Sequence, residues 1–166
     1  MVDVSEQIVK EYLKLSKNQF TIENIRFKVP NNYSDIDILA VDKEGNFHSY
    51  EVKWRHKSFV GATKKETIPE LINQILRPER LDKIKKIIGN KRCNHVFVCT
   101  HWLFNKNEKK REDVEKQFKD KGIKIEYFED MIKKIIQKVK EQGWYDSPIL
   151  QTIRMLKCFD LVKAYE

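Results

Sequence analysis

The chain has 166 residues, of which 40% are apolar and 35% are charged. A chain of this size and composition can bury a core as a single domain without disulfides, which excludes a wholly disordered protein. Its 33 Lys and Arg residues outnumber its 25 Asp and Glu residues and leave a formal net charge of +8. A surplus of this size favours a polyanionic partner, either nucleic acid or an anionic membrane surface.

The three cysteines (Cys93, Cys99 and Cys158) are odd in number and form no CxxC pair. This usage is typical of a reducing compartment, so we expect a cytoplasmic protein. The first residues lack an apolar signal core, and no run approaches the roughly 18 apolar residues of a membrane span. We therefore expect a soluble protein with no membrane partner.

The first half of the chain predicts a helix followed by three strands. Val4 to Leu15 has its apolar residues at helical spacing, and Asp3 and Glu6 have the spacing of a capping box. Phe20 to Val29 alternates apolar and polar residues with one slip, which predicts a strand with a bulge. After the turn at residues 30–32, two further strands are predicted at Ser34 to Asp42 and at Phe47 to Trp54.

The second half predicts helices that alternate with two more strands. Pro78 is expected to break a helical stretch from Glu66 to Gly89. The later expectations are strands at Asn94–Thr100 and Ile123–Phe128, and helices at Glu108–Lys121, Asp130–Gln142 and within Trp144–Glu166. A three-strand meander followed by βαβ crossovers predicts an α/β fold whose mixed central sheet carries helices on both faces.

Acidic residues of the two middle strands are predicted to meet across a hairpin. Glu51 and Lys53 share one face of their strand, because side chains alternate. If residues 43–45 form a three-residue loop that ends in Gly45, Asp37 lies opposite Glu51 and Asp35 lies opposite Lys53. Two carboxylates at a separation of about 5 Å repel each other unless a cation lies between them.

This arrangement is a plausible Mg²⁺ site, with Mn²⁺ as an alternative ion. Mg²⁺ prefers oxygen ligands and usually takes one or two protein carboxylates together with water and substrate phosphate. A lysine beside the ion can orient the attacking water or stabilise developing charge. The competing interpretation is an exposed sheet face with ordinary acid–lysine pairs.

The segments SDIDILAV and SYEVKWR resemble the core of the PD-(D/E)xK nuclease superfamily, in particular its Mrr-type and archaeal Holliday-junction-resolvase-like branches. The resemblance implies a restriction-endonuclease-like three-layer α/β/α fold at residues 1–143, with residues 144–166 as a C-terminal helical extension packed on the same domain. It also implies that Asp37 and Glu51 bind the metal with the Val52 carbonyl, and that Lys53 is catalytic.

The resemblance also suggests three further site residues. In this family an acid of the first helix often completes the site, and Glu6 stands at that place, although helix capping explains it equally well. Asp35 is a rival to Asp37 as the first metal ligand. Some branches carry a glutamine on the helix after the third strand, and Gln74 matches it, with a plain helix-surface role as the alternative.

The predicted activity is metal-dependent endonucleolytic cleavage of DNA, in restriction, repair or junction resolution, with RNA as a possible substrate. The alternative function is a nucleic-acid-binding or assembly subunit without catalysis. Two-strand cutting by one site per chain would favour a homodimer. Phosphate contacts are expected from the basic residues that follow the third strand, which are Arg55, His56, Lys57, Lys64 and Lys65.

A zinc site built from Cys93, His95, Cys99 and His101 is not expected. If this segment is an extended strand, its ends lie roughly 26 Å apart at about 3.3 Å per residue. That span is far larger than one tetrahedral site.

Overall fold

The computed structural model describes residues 3–54, 67–103 and 108–162. In these ranges the chain forms helices and strands, with a short 3₁₀ helix at His101–Leu103. In chain order the elements are α1 (Val4–Lys17), β1 (Phe20–Val29), β2 (Asn32–Val41), β3 (Phe47–Lys53), α2 (Ile68–Ile75), α3 (Pro78–Ile88), β4 (Cys93–Cys99), α4 (Glu108–Asp120), β5 (Ile123–Tyr127), α5 (Phe128–Lys138) and α6 (Pro148–Cys158).

The five strands form one mixed sheet in the order β1-β2-β3-β4-β5. β1, β2 and β3 form an antiparallel meander, whereas β4 and β5 add parallel to β3. The parallel pairs need crossovers, which α2 and α3 provide before β4 and α4 provides before β5. The predicted α/β class with a mixed sheet is therefore confirmed.

Helices cover both faces of the sheet. On β4, Val96 and Val98 pack in one cluster with residues of α1, α5 and α6, whereas Phe97 and Cys99 pack in another with residues of α2 and α4. Because neighbouring residues of a strand point to opposite faces, these clusters lie on the two sides of the sheet. A third cluster joins α3 to β1 and β2. The structure therefore has the predicted three-layer α/β/α arrangement.

The slip in the pattern of β1 is a change of backbone conformation at one residue. Asn24 has a φ of 53°, in the left-handed region that asparagine tolerates better than most residues. The pairing continues in the same register on both sides of it, since Glu23 faces Ile38 and Ile25 faces Ile36. No extra residue is inserted, so the predicted bulge is corrected to a single left-handed position.

The hairpin between β2 and β3 has the predicted loop. The Asp42 amide donates to the Asn46 carbonyl at 3.0 Å, and the Gly45 amide donates to the Asp42 carbonyl at 3.0 Å. Gly45 has a φ of 82°, which glycine adopts without a steric cost. This loop sets the register in which Val41 faces Phe47 and Ile38 faces Tyr50.

The last two helices differ from the predicted ranges. α5 begins at Phe128 and ends at Lys138, because Val139 is extended. α6 starts only at Pro148, whose missing N–H suits the first turn, and Ser147 caps it. Phe159 lies after the end of this helix and is exposed.

Within the part of the chain that the structure describes, no helix combines the length and the apolar character needed to cross a membrane.

Candidate active site

A cleft of about 1000 Å³ opens where β2 and β3 separate. The pairing of these strands ends at Ile38 and Tyr50, although β3 continues to Lys53. The cleft is lined by residues from both helical layers and from the sheet between them, which are Asp3, Val4, Ser5, Glu6, Ile8, Ser34, Asp35, Asp37, Glu51, Val52, Lys53, Trp54, Gln74, Arg77, Arg80, Phe128 and Ile132. The predicted site residues that the structure describes all line it.

Asp37 lies at the point where the two strands part. The register of the hairpin, continued by one residue, places it opposite Glu51. Its Oδ2 accepts a hydrogen bond of 2.6 Å from the Val52 amide. At this position a side chain, and not the backbone of β2, bonds to the backbone of β3. Burial and the nearby charge of Glu51 raise the pKa of Asp37 to about 8, against the opposing effect of the Val52 amide. Ionising Asp37 is therefore costly in this site.

Glu51 is buried and is held by a buried arginine. Arg80 is only 2% exposed, and its guanidinium forms a charge-assisted hydrogen bond with Glu51 Oε2. The same guanidinium donates to Ser49 Oγ at 3.1 Å and to the Tyr50 carbonyl at 3.3 Å. These contacts fix the orientation of Glu51 and leave its Oε1 on the side of Lys53.

Lys53 lies beside Glu51, as the alternation along β3 predicts. Its Nζ is 3.4 Å from Glu51 Oε1, and its side chain is partly exposed to the cleft. Tyr50 and Val52 take the opposite face and pack in the core under α1 and α5. An ammonium group thus stands next to Glu51 in the cleft that Asp37 also lines.

Glu6 lines the cleft from α1. Asp3 caps this helix through the Ser5 amide at 2.7 Å, and the Glu6 side chain faces the other acids. Burial raises the pKa of Glu6, followed by the charges of Asp3 and Asp35. Val9 and Leu13, which share its side of the helix, are fully buried, so this side of α1 faces the interior.

Asp35 and Gln74 lie at the rim of the cleft. Asp35 is exposed and pairs across the sheet with Arg26 of β1, whereas Asp37 is bonded to β3. Gln74 is partly buried on α2 and reaches both this cleft and a neighbouring depression. The predicted phosphate contacts Arg55, His56, Lys57, Lys64 and Lys65 lie outside the described residues.

Arg80 is the site residue that the sequence analysis missed. It lies one helical turn before Ile84 and two before Ile88, on the buried stripe of α3. An arginine in a stripe of isoleucines is a detectable signal, because a buried guanidinium needs an acidic partner. Its Nε is buried and has no hydrogen-bond partner among the described residues.

The donor atoms suit a hard divalent cation with two carboxylate ligands. Asp37 and Glu51 supply oxygen donors at an open cleft, and burial, followed by the charge of Glu51, raises the pKa of Asp37. Among the described residues, no group of three or more His, Cys, Asp or Glu residues converges as a metal site. Glu6 therefore shares the cleft with the pair without forming a three-ligand set. The same finding gives no support to zinc binding at Cys93, His95 and Cys99.

No protein-family model matches the chain, and a search of characterised proteins gives no match. Two solved structures are similar to the chain at low identity. Can2 from Sulfobacillus thermosulfidooxidans, in complex with cyclic tetra-adenylate, is 13% identical, with a TM-score of 0.44 over 74% of this chain and 30% of that chain. EndoMS, in complex with double-stranded DNA, is 10% identical, with a TM-score of 0.37 over 76% of this chain and 46% of that chain. The chain thus spans less than half of either neighbour.

Proposed function

We propose that this protein is a divalent-metal-dependent endonuclease that hydrolyses phosphodiester bonds in nucleic acid, with DNA as the primary substrate. The observation that carries the proposal is the meeting of Asp37, Glu51 and Lys53 in one open cleft at the separation of β2 and β3. The resemblance of this stretch to the PD-(D/E)xK core and the three-layer fold support the same conclusion.

Asp37 and Glu51 would hold the ion, which is Mg²⁺ or Mn²⁺, with the Val52 carbonyl as a further ligand. When bound, such an ion lowers the pKa of water and offsets phosphate charge. Arg80 keeps Glu51 in place, and the Val52 amide keeps Asp37 in place, so both carboxylates are oriented before any ligand arrives.

Lys53 has the position to act on the reacting groups. Its ammonium can orient the attacking water or donate to a phosphate oxygen as charge develops there. In the hydrolysis, the water oxygen forms a bond to phosphorus, the phosphorus–ester oxygen bond breaks, and the leaving oxygen takes a proton. Glu6, on the opposite wall, is placed to position solvent or a second ligand of the ion.

The test is cleavage of nucleic acid by purified protein with Mg²⁺, Mn²⁺ or a chelator. A panel of duplex, single-stranded, flap and four-way DNA, with matching RNA, would identify the preferred form. We expect Asp37→Ala, Glu51→Ala and Lys53→Ala each to lower the rate about 100-fold or more. Asp120→Ala, an exposed acid on α4, is the control and should retain activity. Full activity in the three cleft variants would eliminate the mechanism.

A second candidate is a nucleic-acid-binding subunit without catalysis. Arg80 and Lys53 already balance Glu51, so this carboxylate has cationic partners without any metal. Binding of nucleic acid with no turnover on any substrate in the panel would favour this function.

The homodimer stays a prediction. A protein with one site per chain would need two copies to cut both strands of a duplex together. Light scattering with and without DNA would determine the number of copies.

A further inference from the structure

A second groove continues from the cleft along the outer end of the β1–β2 hairpin. It has a volume of about 760 Å³ and lies between this hairpin and α3. Ser34 and Asp35 line both the groove and the cleft, so the two depressions adjoin at β2. A chain molecule that lies in the groove would lead directly to Asp37.

Four cations line this groove. Arg26 and Lys28 belong to β1, and Lys83 and Lys86 belong to α3. No ion pair or hydrogen bond joins any of the four to another side chain within the described ranges. The groove also contains three acids, Asp35, Glu79 and Asp82, so the four cations leave it with an excess of one positive charge. Unpaired lysine and arginine side chains along a groove are suited to the phosphates of a nucleic acid backbone.

Exposed aromatic rings stand in both depressions. Tyr33 is 69% exposed in the groove, where it pairs across the sheet with Lys28. Trp54 is 43% exposed in the cleft and is supported by the edge of Phe128 at 4.7 Å between ring centroids. Such rings can stack on bases only where the bases are unpaired, because a duplex hides the faces of its bases.

We propose that the joined cleft and groove bind an unpaired strand of nucleic acid, with Tyr33 stacked on a base and with Arg26, Lys28, Lys83 and Lys86 contacting phosphates. The inference deepens the proposed function, since the strand would pass from this groove to Asp37 and Glu51. It specifies a substrate class: a single strand, or the unpaired portion of a flap or junction.

The experiment measures binding without catalysis, so that its failure differs from failure of the nuclease proposal. A fluorescent oligonucleotide of about 15 nucleotides is titrated with protein in a chelator, as a single strand and as a duplex, in DNA and RNA forms. We expect the single strand to bind about ten times more tightly. Tyr33→Ala should weaken single-strand binding about 5- to 50-fold and duplex binding much less, whereas Tyr33→Phe should keep the affinity.

The phosphate contacts have a separate readout in the salt dependence. Removing two of them with the double variant K83Q/K86Q should lower the slope of log affinity against log salt by about 1.4 for a single strand. Lys116 and Lys119 of α4 have the same i, i+3 spacing and are exposed, so K116Q/K119Q is the matched control. Trp144→Ala is the control for an exposed aromatic ring away from the groove.

The inference is overturned if Tyr33→Ala binds the single strand as wild type does, if the duplex binds as tightly as the single strand, or if no nucleic acid binds. Both proposals are supported if Asp37→Ala no longer cleaves nucleic acid but still binds the single strand in a way that depends on Tyr33. Tyr33-dependent binding by a protein that never cleaves would leave this inference standing and remove the nuclease.

Discussion

Two clusters of partly buried charged residues in this protein shift the pKa of an acid in opposite directions. In the cleft, burial and Glu51 raise the pKa of Asp37 to about 8. At the end of α1, Glu126 of β5 lies 2.7 Å from Lys17 and 2.9 Å from Lys124. Burial alone would raise the pKa of Glu126, but these two lysines outweigh it and hold the pKa below its usual value.

The difference distinguishes a carboxylate that two lysines compensate from a carboxyl group whose pKa is raised by burial and by the charge of Glu51. Glu126 has two cations close by, and its charge is compensated within the protein. Asp37 has no basic side chain within 4 Å among the described residues, and Arg80 is directed at Glu51 instead. An uncompensated carboxylate beside an open cleft is the arrangement that a divalent cation would relieve.

The largest expected loss of stability follows from replacing Arg80, the arginine that binds Glu51 in the cleft. Arg80→Ala should lower the free energy of unfolding by about 3–5 kcal/mol, because it leaves Glu51 buried beside Asp37 without its main partner. Urea denaturation of the metal-free protein measures the loss. The double variant R80M/E51Q should recover part of it, since both charges are then removed. A loss below about 1 kcal/mol would show that the cleft does not depend on this pair.

The next effect is the change in stability when the acid of each cluster is replaced by its amide, and its sign differs between the two clusters. Asp37→Asn should stabilise the metal-free protein at pH 8–9 by an amount on the order of a few kcal/mol, because the amide keeps an acceptor for the Val52 amide and carries no charge. Glu126→Gln should destabilise it at the same pH, because Lys17 and Lys124 lose their partner. Denaturation curves from pH 5 to pH 9 make the comparison.

The sign of the pH dependence follows from the direction of the shift at Asp37. The pKa is about 8 in the folded protein and 3.8 for an unperturbed aspartate, so the folded state holds an extra proton between these values. The contribution of Asp37 to stability is fully present below about pH 4 and is lost as the pH rises through about 8. The advantage of Asp37→Asn should therefore grow with pH. An advantage that is constant from pH 5 to pH 9 would contradict the unusual pKa.

The smallest effects separate the two lysines that flank Glu126. Lys17 is partly buried against the rings of Tyr12 and Tyr50, whereas Lys124 is well exposed. Lys17→Met should cost about 1–3 kcal/mol of stability, and Lys124→Met less than about 1 kcal/mol. Thermal unfolding of both variants measures the difference. Equal losses would mean that burial does not distinguish the two contacts.

The local features of the site were predictable because they depend on neighbours in the chain. The three-residue loop ending at Gly45 fixes the hairpin register, and strand alternation then places Glu51 and Lys53 on one face. The inward stripe of Val9 and Leu13 likewise indicates that Glu6 turns toward the protein. These inferences need only the period of a strand or helix and the geometry of one turn.

The sequence by itself thus determined the order of the elements, the mixed sheet and the acidic pair. Only the tertiary structure decided that Arg80, 29 residues after Glu51, holds that acid, and that the groove at β1 and α3 adjoins the cleft. It also decided how deeply Asp37 is desolvated, and hence its pKa. These properties depend on how helices from distant parts of the chain pack on the sheet, and hydrophobic periodicity fixes which face of a helix is buried but not which polar group it meets there.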